Sequence, residues 1–588
     1  MRAASLRVVG SESPGASDTS QAQQAIASKA ASTAQDGPWS ITKEIVKPPS
    51  GDIHDFLSWA PYHWPDPNLC GQNDTIDYPD SGYPDSVGGD DGTDGHDSNI
   101  EKRYLTPPSK FLPRGRHNVR VAHRHHRSHS QGVKRLNIDN LKSAKRDLSG
   151  LPLSVVDGST VKPGIPVQPQ SSVDPSQTMQ LESAATGSRA EAGTYCPYVL
   201  RDGIKNPDVD LLVGPDYANK MSQSVLYNAL SYALFESPNN SQNVANFIDT
   251  YFLSPATAMN SNMNFAQLVR GSGNLKDGEQ KGTFTGPRDM RGMVKVVNAL
   301  MVMKATKSPD WTAEREQAMS TWAKEYLSWL QTSDIGKELA GKPNNYLTSY
   351  VNQVAALQMY LGDNEGALST IRTYFENQFQ DQIAQNGEQP FEAVRARPDR
   401  TVSRRAQNDY QPLLRVTRPI RERAFNLEAM ITNAKIADQL GENLWDTESR
   451  YGATIQTALD YAMSLDLADE PEAVSDLMPH VASVAAAYGD PSGKYKEFMQ
   501  RHQGDYQSEP WWFYDQTAAL PNSPAAGSNR KRDDGVEEAH NSTEAGPGKE
   551  TVPFECPAVF AGTTEVELED GLWVSCEDMR LLYDIPLL

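Results

Sequence analysis

Residues 342–361 read KPNNYLTSYVNQVAALQMYL, and their second half sets the class of the fold. Tyr350, Val354, Leu357 and Leu361 recur at i, i+4, i+7 and i+11, so they share one face of a helix that must be buried. Asn344, Asn345, Tyr346 and Tyr350 stand at the mouth of that helix. A helix N-terminus carries free N–H groups and a partial positive charge, which suits an anionic ligand. Amides that donate to a carboxylate, beside phenols able to move protons, are what elimination chemistry on an acidic sugar requires. The same asparagines also read as helix caps and the tyrosines as rim packing, and this stretch alone leaves both readings open.

Outward from it, periodic apolar stretches run through 219–236, 242–253, 287–304, 311–331, 364–383, 424–440, 443–464 and 472–488. Starts such as Ser308-Pro309-Asp310 and stops such as Gly362 and Gly441 punctuate them. No convincing alternating strand lies between. Many helices in succession, without a repeat of fixed period, predict an all-α fold: an (α/α) toroid of paired helices over 37–76 and 193–505.

The rest of the chain reads differently. Residues 1–36 are Ser/Ala/Gln-rich without apolar periodicity and are expected to be disordered. An acidic run followed by a basic, His-rich one marks 77–192 as a low-complexity insertion. Its histidines His123, His125, His126 and His129 have no ordered-site spacing, so no metal is expected. A second, basic insertion is expected at 396–422, and 522–588 reads as a polar tail with a small element closed by Cys556 and Cys576. The tail and the 77–192 insertion are expected to lie outside the toroid without packing on it.

Of the 588 residues, 38% are hydrophobic, and the net charge is -21. That charge argues against nucleic acid, and it accommodates an anionic substrate only where basic groups gather in a cleft. No run of about 20 apolar residues appears, so no membrane span is expected. The four cysteines, Cys70, Cys196, Cys556 and Cys576, form two distant pairs compatible with two disulfides. Sequons at Asn73, Asn239 and Asn541 agree with an extracellular protein, although the first residues hold no signal-peptide core. A Cys70–Cys196 disulfide is expected to tie the aromatic loop around Tyr62 and Trp64 to the helical body. That loop offers flat faces on which sugar rings stack, or else a packed aromatic plug.

Collinear segments PSGDIHDFLSWAPYHWPDP, CPYVLRDGIKNPD, NFAQLVRG, the 342–361 stretch, GEQPFEAV and AFNLEAMITNAKIADQLG resemble the fungal branch of the alginate lyase domain family. The resemblance implies a helical toroid whose cleft cleaves 1,4-linked polyuronates, alginate or glucuronan, by β-elimination, without a cofactor. It makes Asn345 the group that neutralises the carboxylate, puts Tyr346 where the family has its histidine base, and retains Tyr350 for proton transfer. Arg418 is the counterpart of a family arginine, a role Arg397 fills equally well. Phe425 stands where the family has a further aromatic. Asn344, Tyr62, Trp64, Arg270, Gln389 and Arg423 are expected to bind the polymer. The alternative is a family member that binds polyuronate, or serves as a scaffold, without cleaving it. The chain is expected to act as a monomer.

Overall fold

The computed structural model describes residues 18–66, 197–201, 205–271, 275–276, 279–395, 415–416, 420–465, 473–527, 552–569 and 571–583. The expectations for Cys70, Cys196, Arg397, Arg418 and the 77–192 insertion lie outside the described residues.

Helices dominate, in the order α1 Ser20–Asp36, α2 Gly214–Phe235, α3 Pro238–Ile248, α4 Met293–Ala305, α5 Ala313–Thr332, α6 Asp334–Ala340, α7 Asn345–Tyr360 and α8 Asn364–Glu376. There follow α9 Pro390–Ala393, α10 Ile420–Gln439, α11 Ile455–Ser464, α12 Ala473–Tyr488, α13 Lys494–His502, α14 Pro510–Tyr514 and α15 Cys576–Tyr583. Packed against one another, they form the helical toroid. The described strands are short pairs at the rim: β1 Leu57–Trp59, β2 His63–Pro65, β3 Tyr198–Leu200, β4 Phe265–Leu268, β5 Leu275–Lys276, β6 Glu279–Gln280, β7 Val394–Arg395, β8 Arg415–Val416, β9 Glu565–Glu569 and β10 Leu572–Ser575. β1 pairs in parallel with β4; the other pairs, β2 with β3, β5 with β6, β7 with β8 and β9 with β10, are antiparallel.

Helix α7 is the hub. Fourteen of its 16 residues are buried, among them the polar Asn352, Gln353 and Gln358, each hydrogen-bonded inside the body. Leu347, Val351, Ala355 and Met359 enter one core with α8, α10, α11 and α12. Val354, Ala356, Leu357 and Tyr360 enter the other, with α2, α4 and α5. The face read from the sequence, Tyr350 to Leu361, is the one turned to the second core.

Three expectations are corrected. Residues 20–36 form a packed helix: Ala22, Ile26 and Ala30, four apart, are fully buried, and Ala34 continues their row against the second core. Ala22 and Ile26 meet Leu230 of α2 and Phe513 of α14. An alanine row escaped the reading because small side chains carry little hydropathy, yet they let helices approach closely. The helical body also runs past 505, with Tyr506 and Trp511 buried in the first core. The tail, finally, is docked rather than loose. Phe560, Leu568, Leu572, Val574, Met579, Leu582 and Tyr583 share a third core with Ala384, Phe391, Val394 and Tyr451. A Cys556–Cys576 disulfide closes this tail element.

Helix limits moved where local chemistry decides them. The 443–464 stretch becomes helical only at Ile455, after a Thr454–Thr457 capping box and Gly452 at φ +72°. The 287–304 stretch opens with a tight turn, Gly286–Met290, before α4 begins.

Candidate active site

The first turn of α7 faces an anion, but one supplied by the protein itself. Asn345 donates its backbone N–H to Glu392 Oε1 at 2.8 Å and its side-chain amide to Oε2 at 2.5 Å. The carboxylate thus caps the positive helix end that the sequence offered to a ligand. Asn344 donates its amide to the carbonyl of Leu568 at 3.0 Å. Both asparagines are buried, and both Oδ1 atoms lack a hydrogen-bond partner. An amide carries two N–H donors, and Glu392 takes one of those of Asn345.

Tyr346 is buried one residue further on, edge-on to Phe284 with centroids 5.9 Å apart. The guanidinium of Arg288, from the Gly286–Met290 turn, lies 5.3 Å over its ring. That turn is anchored on α7 by Gln353, which donates to the Pro287 carbonyl at 3.1 Å. Beside it, Asp289 accepts from Ser58 and Gln267. Arg288 faces Tyr346, Glu422, Tyr62 and Glu569 electrostatically. It also lies 4.4 Å over the ring of Phe425, which Arg421 and Arg291 approach at 5.7 and 6.0 Å. Tyr350 is half-buried against Tyr346, Phe284 and Leu339.

Burial pushes the Tyr346 phenol well above its ordinary value; the charge of Glu569 adds to this, and Arg288 opposes it. Burial also raises Tyr350. Both phenols therefore hold their protons at neutral pH.

Of the expected site residues, the structure gathers Asn344, Asn345, Tyr346, Tyr350 and Tyr62. Trp64 stands at the rim, half-buried on β2 with Arg201 5.2 Å over its ring. Three others are committed elsewhere. Arg270 forms a forked pair with Asp208 at 2.5 and 2.9 Å, and lies 4.1 Å over Trp59. Arg423 has no exposed surface and pairs with Glu388 at 2.6 Å, so it cannot touch a polymer. Gln389 is equally enclosed, accepting from Asn426 at 2.9 Å and donating to the Arg423 carbonyl. The expectations that Arg423 and Gln389 bind substrate are thus corrected: a buried network fixes the entry to the short helix α9, which carries Glu392. Sequence reasoning missed Arg288, Arg291, Glu392 and Glu569. The first two sit in GPRDMR, which reads in the sequence as the start of the 287–304 helical stretch rather than as a turn.

The sequence model of the alginate lyase family matches residues 165–473, just over half of the chain. This protein belongs to the alginate lyase family. Among solved structures, an alginate lyase from Bacteroides ovatus aligns at 18% identity with a TM-score of 0.53. The alignment covers 84% of this chain and 92% of that one. At that identity the likeness shows a shared fold. No curated protein matches the sequence significantly. The family match begins at 165, inside the segment read from the sequence as an insertion, and ends within α12. No described helix of this alginate lyase family member is long and apolar enough to cross a membrane.

Proposed function

We propose that the chain is a secreted polysaccharide lyase acting on 1,4-linked polyuronates by β-elimination, with its centre at Arg288, Tyr346 and Tyr350. One observation carries this reading. In a chain of net charge -21, three guanidiniums, Arg288, Arg291 and Arg421, gather around Phe425 beside two phenols at the mouth of the hub helix. Such a focus of positive charge in an acidic protein suits a polyanion.

In this reading Arg288 binds the C5 carboxylate, with Arg421 beside it, and the neutralised carboxylate stabilises the enolate-like state. Tyr346 takes the C5 proton only once ionised, a state that burial and Glu569 oppose and that Arg288 favours. The electron pair moves into the C4–C5 bond, the C4–O4 bond breaks, and Tyr350 gives its proton to O4. The raised pKa of Tyr350 suits that acid role, because the phenol stays protonated until the leaving oxygen develops charge. Asn345 positions the helix end through Glu392. Arg418 remains a second candidate for the carboxylate, and Tyr62 and Trp64 are candidates for stacking a sugar ring.

Incubating the protein with polymannuronate, polyguluronate and polyglucuronate, while following double-bond absorbance and reducing ends together, tests this reading. Both signals are expected to rise with at least one polymer. Reducing ends without absorbance would mean hydrolysis instead. The second reading, a polyuronate binder without catalysis, is favoured by the protonated state that burial imposes on Tyr346. Binding with neither signal would support it.

A further inference from the structure

We propose that the C-terminal hairpin β9–β10 is a built-in plug, and that Glu569 occupies the place a uronate carboxylate would take beside Arg288 and Tyr346.

This inference rests on the proposed site. Four contacts seat the hairpin directly on it. Lys342, which precedes the hub helix, donates to the Glu567 carbonyl at 3.1 Å and lies 3.3 Å from its carboxylate. Asn344 donates to the neighbouring Leu568 carbonyl. Glu569, next in the strand after Leu568, is buried with only 8% of its surface exposed, and its charge acts on both Arg288 and Tyr346. Across the turn, Gly571 at φ +82° abuts Leu200 of β3, where an added Cβ would stand 3.1 Å from Cδ2. The hairpin therefore bridges from the mouth of α7 to the strand pair that carries Trp64.

The tail bears two further marks of a removable ligand. Its strand β9 reads EVELE, so three carboxylates line one short strand, an acidic run laid against a basic focus. Its own fold is closed by the Cys556–Cys576 disulfide, which keeps it one unit. By contrast the seat is not a bare polar contact. Leu568, Leu572 and Val574 bury against Phe391 and Val394, which holds the plug in place until a longer polyanion, or a cut upstream, displaces it. In sequence, the basic run Arg530-Lys531-Arg532 precedes the plug.

A ligand that must displace an intramolecular competitor binds more weakly by the fraction of molecules that are open. Removing the competing carboxylate should raise affinity without new contacts. Glu569→Gln keeps the volume and removes the charge, so it is the first variant to make in the full chain. The second arm is the wild-type chain with a specific protease site inserted after Asn541, cut after folding. Binding is read by titrating an unsaturated oligouronate, elimination by absorbance, and folding by thermal melting. Both arms are expected to bind about tenfold or more tightly than the uncut wild type, with melting preserved for Glu569→Gln. If the proposed reaction is right, elimination rises in parallel. Tighter binding with no elimination in any arm would keep the plug and overturn the lyase reading. Unchanged or weaker binding in Glu569→Gln, with its fold intact, would overturn the plug and make Glu569 a wall of the working cleft.

Discussion

Replacing Glu388 by Gln should show how the loop behind the site is held. Glu388 and Arg423 have no exposed surface. Arg423 donates Nε to Oε1 at 2.6 Å and Nη2 to Oε2 at 2.8 Å. The same carboxylate accepts from Tyr461 at 2.7 Å and from the Gln389 N–H at 2.8 Å. A glutamine keeps the volume but removes the charge opposite a buried guanidinium, and turns an amide donor toward other donors. Losing one partner of a buried pair costs about 3–5 kcal/mol. With the side-chain volume kept, about 3 kcal/mol is expected here. Urea unfolding followed by tryptophan fluorescence reads it, as a lower midpoint at unchanged slope. The double variant Glu388→Leu with Arg423→Met should regain part of the loss, since no charge is then left unmatched, though Tyr461 and Gln389 still lack their acceptor. A single-variant loss below about 1 kcal/mol, the level of an exposed pair, would refute the reasoning, as would a double variant no better than the single.

Other outcomes follow from the same geometry. Glu392→Ala removes both bonds at the start of α7 and should cost about 1–3 kcal/mol in thermal unfolding; an unchanged melting point would show that the carboxylate is no cap. Tyr350→Phe should abolish elimination while leaving melting unchanged, since only a hydroxyl is lost, and retained activity would remove it from the proposed reaction. Arg288→Met in the Glu569→Gln background should weaken oligouronate binding by about 1.5–3 kcal/mol, measured by titration, with a smaller loss pointing to Arg421 as the main contact. Burial raises the phenols of Tyr251, Tyr326, Tyr346 and Tyr374 above the ordinary value of 10.0. Because the folded pKa exceeds the unfolded one, their contribution to stability is complete below about pH 10 and is lost as pH rises beyond it. Ultraviolet titration should find these phenols ionising only with alkaline unfolding; ionisation of every tyrosine near pH 10 in the folded protein would contradict this.

The sequence by itself determined the class of fold and its hub. An apolar period of 3.6 is a local property, so the buried face of α7 and the succession of helices could be read directly. The alginate lyase family was legible because many short segments stand in one order, from the aromatic loop to α10. Short-range chemistry moved the ends, as the capping box at Thr454 and the turn at Gly286–Met290 show. The row Ala22, Ile26 and Ala30 was a legible signal passed over, for alanine is nearly silent in hydropathy and speaks only when a partner helix comes close.

Only the tertiary structure decided what each polar group of the site faces. Asn345 carries the right chemistry at the right place in the sequence, yet one of its amide N–H groups is bound to Glu392, 47 residues away. Gln389 and Arg423 look like sugar-binding groups until the fold encloses them together with Glu388. Arg288 and Phe425, far apart in the chain, meet only because α10 and the Gly286–Met290 turn both pack on the hub helix. The docking of Leu568 on Asn344 joins residues 224 apart. A one-dimensional pattern reports which faces are apolar. It does not report which charges a closed fold brings face to face, because that depends on long-range packing rather than on any neighbour in sequence.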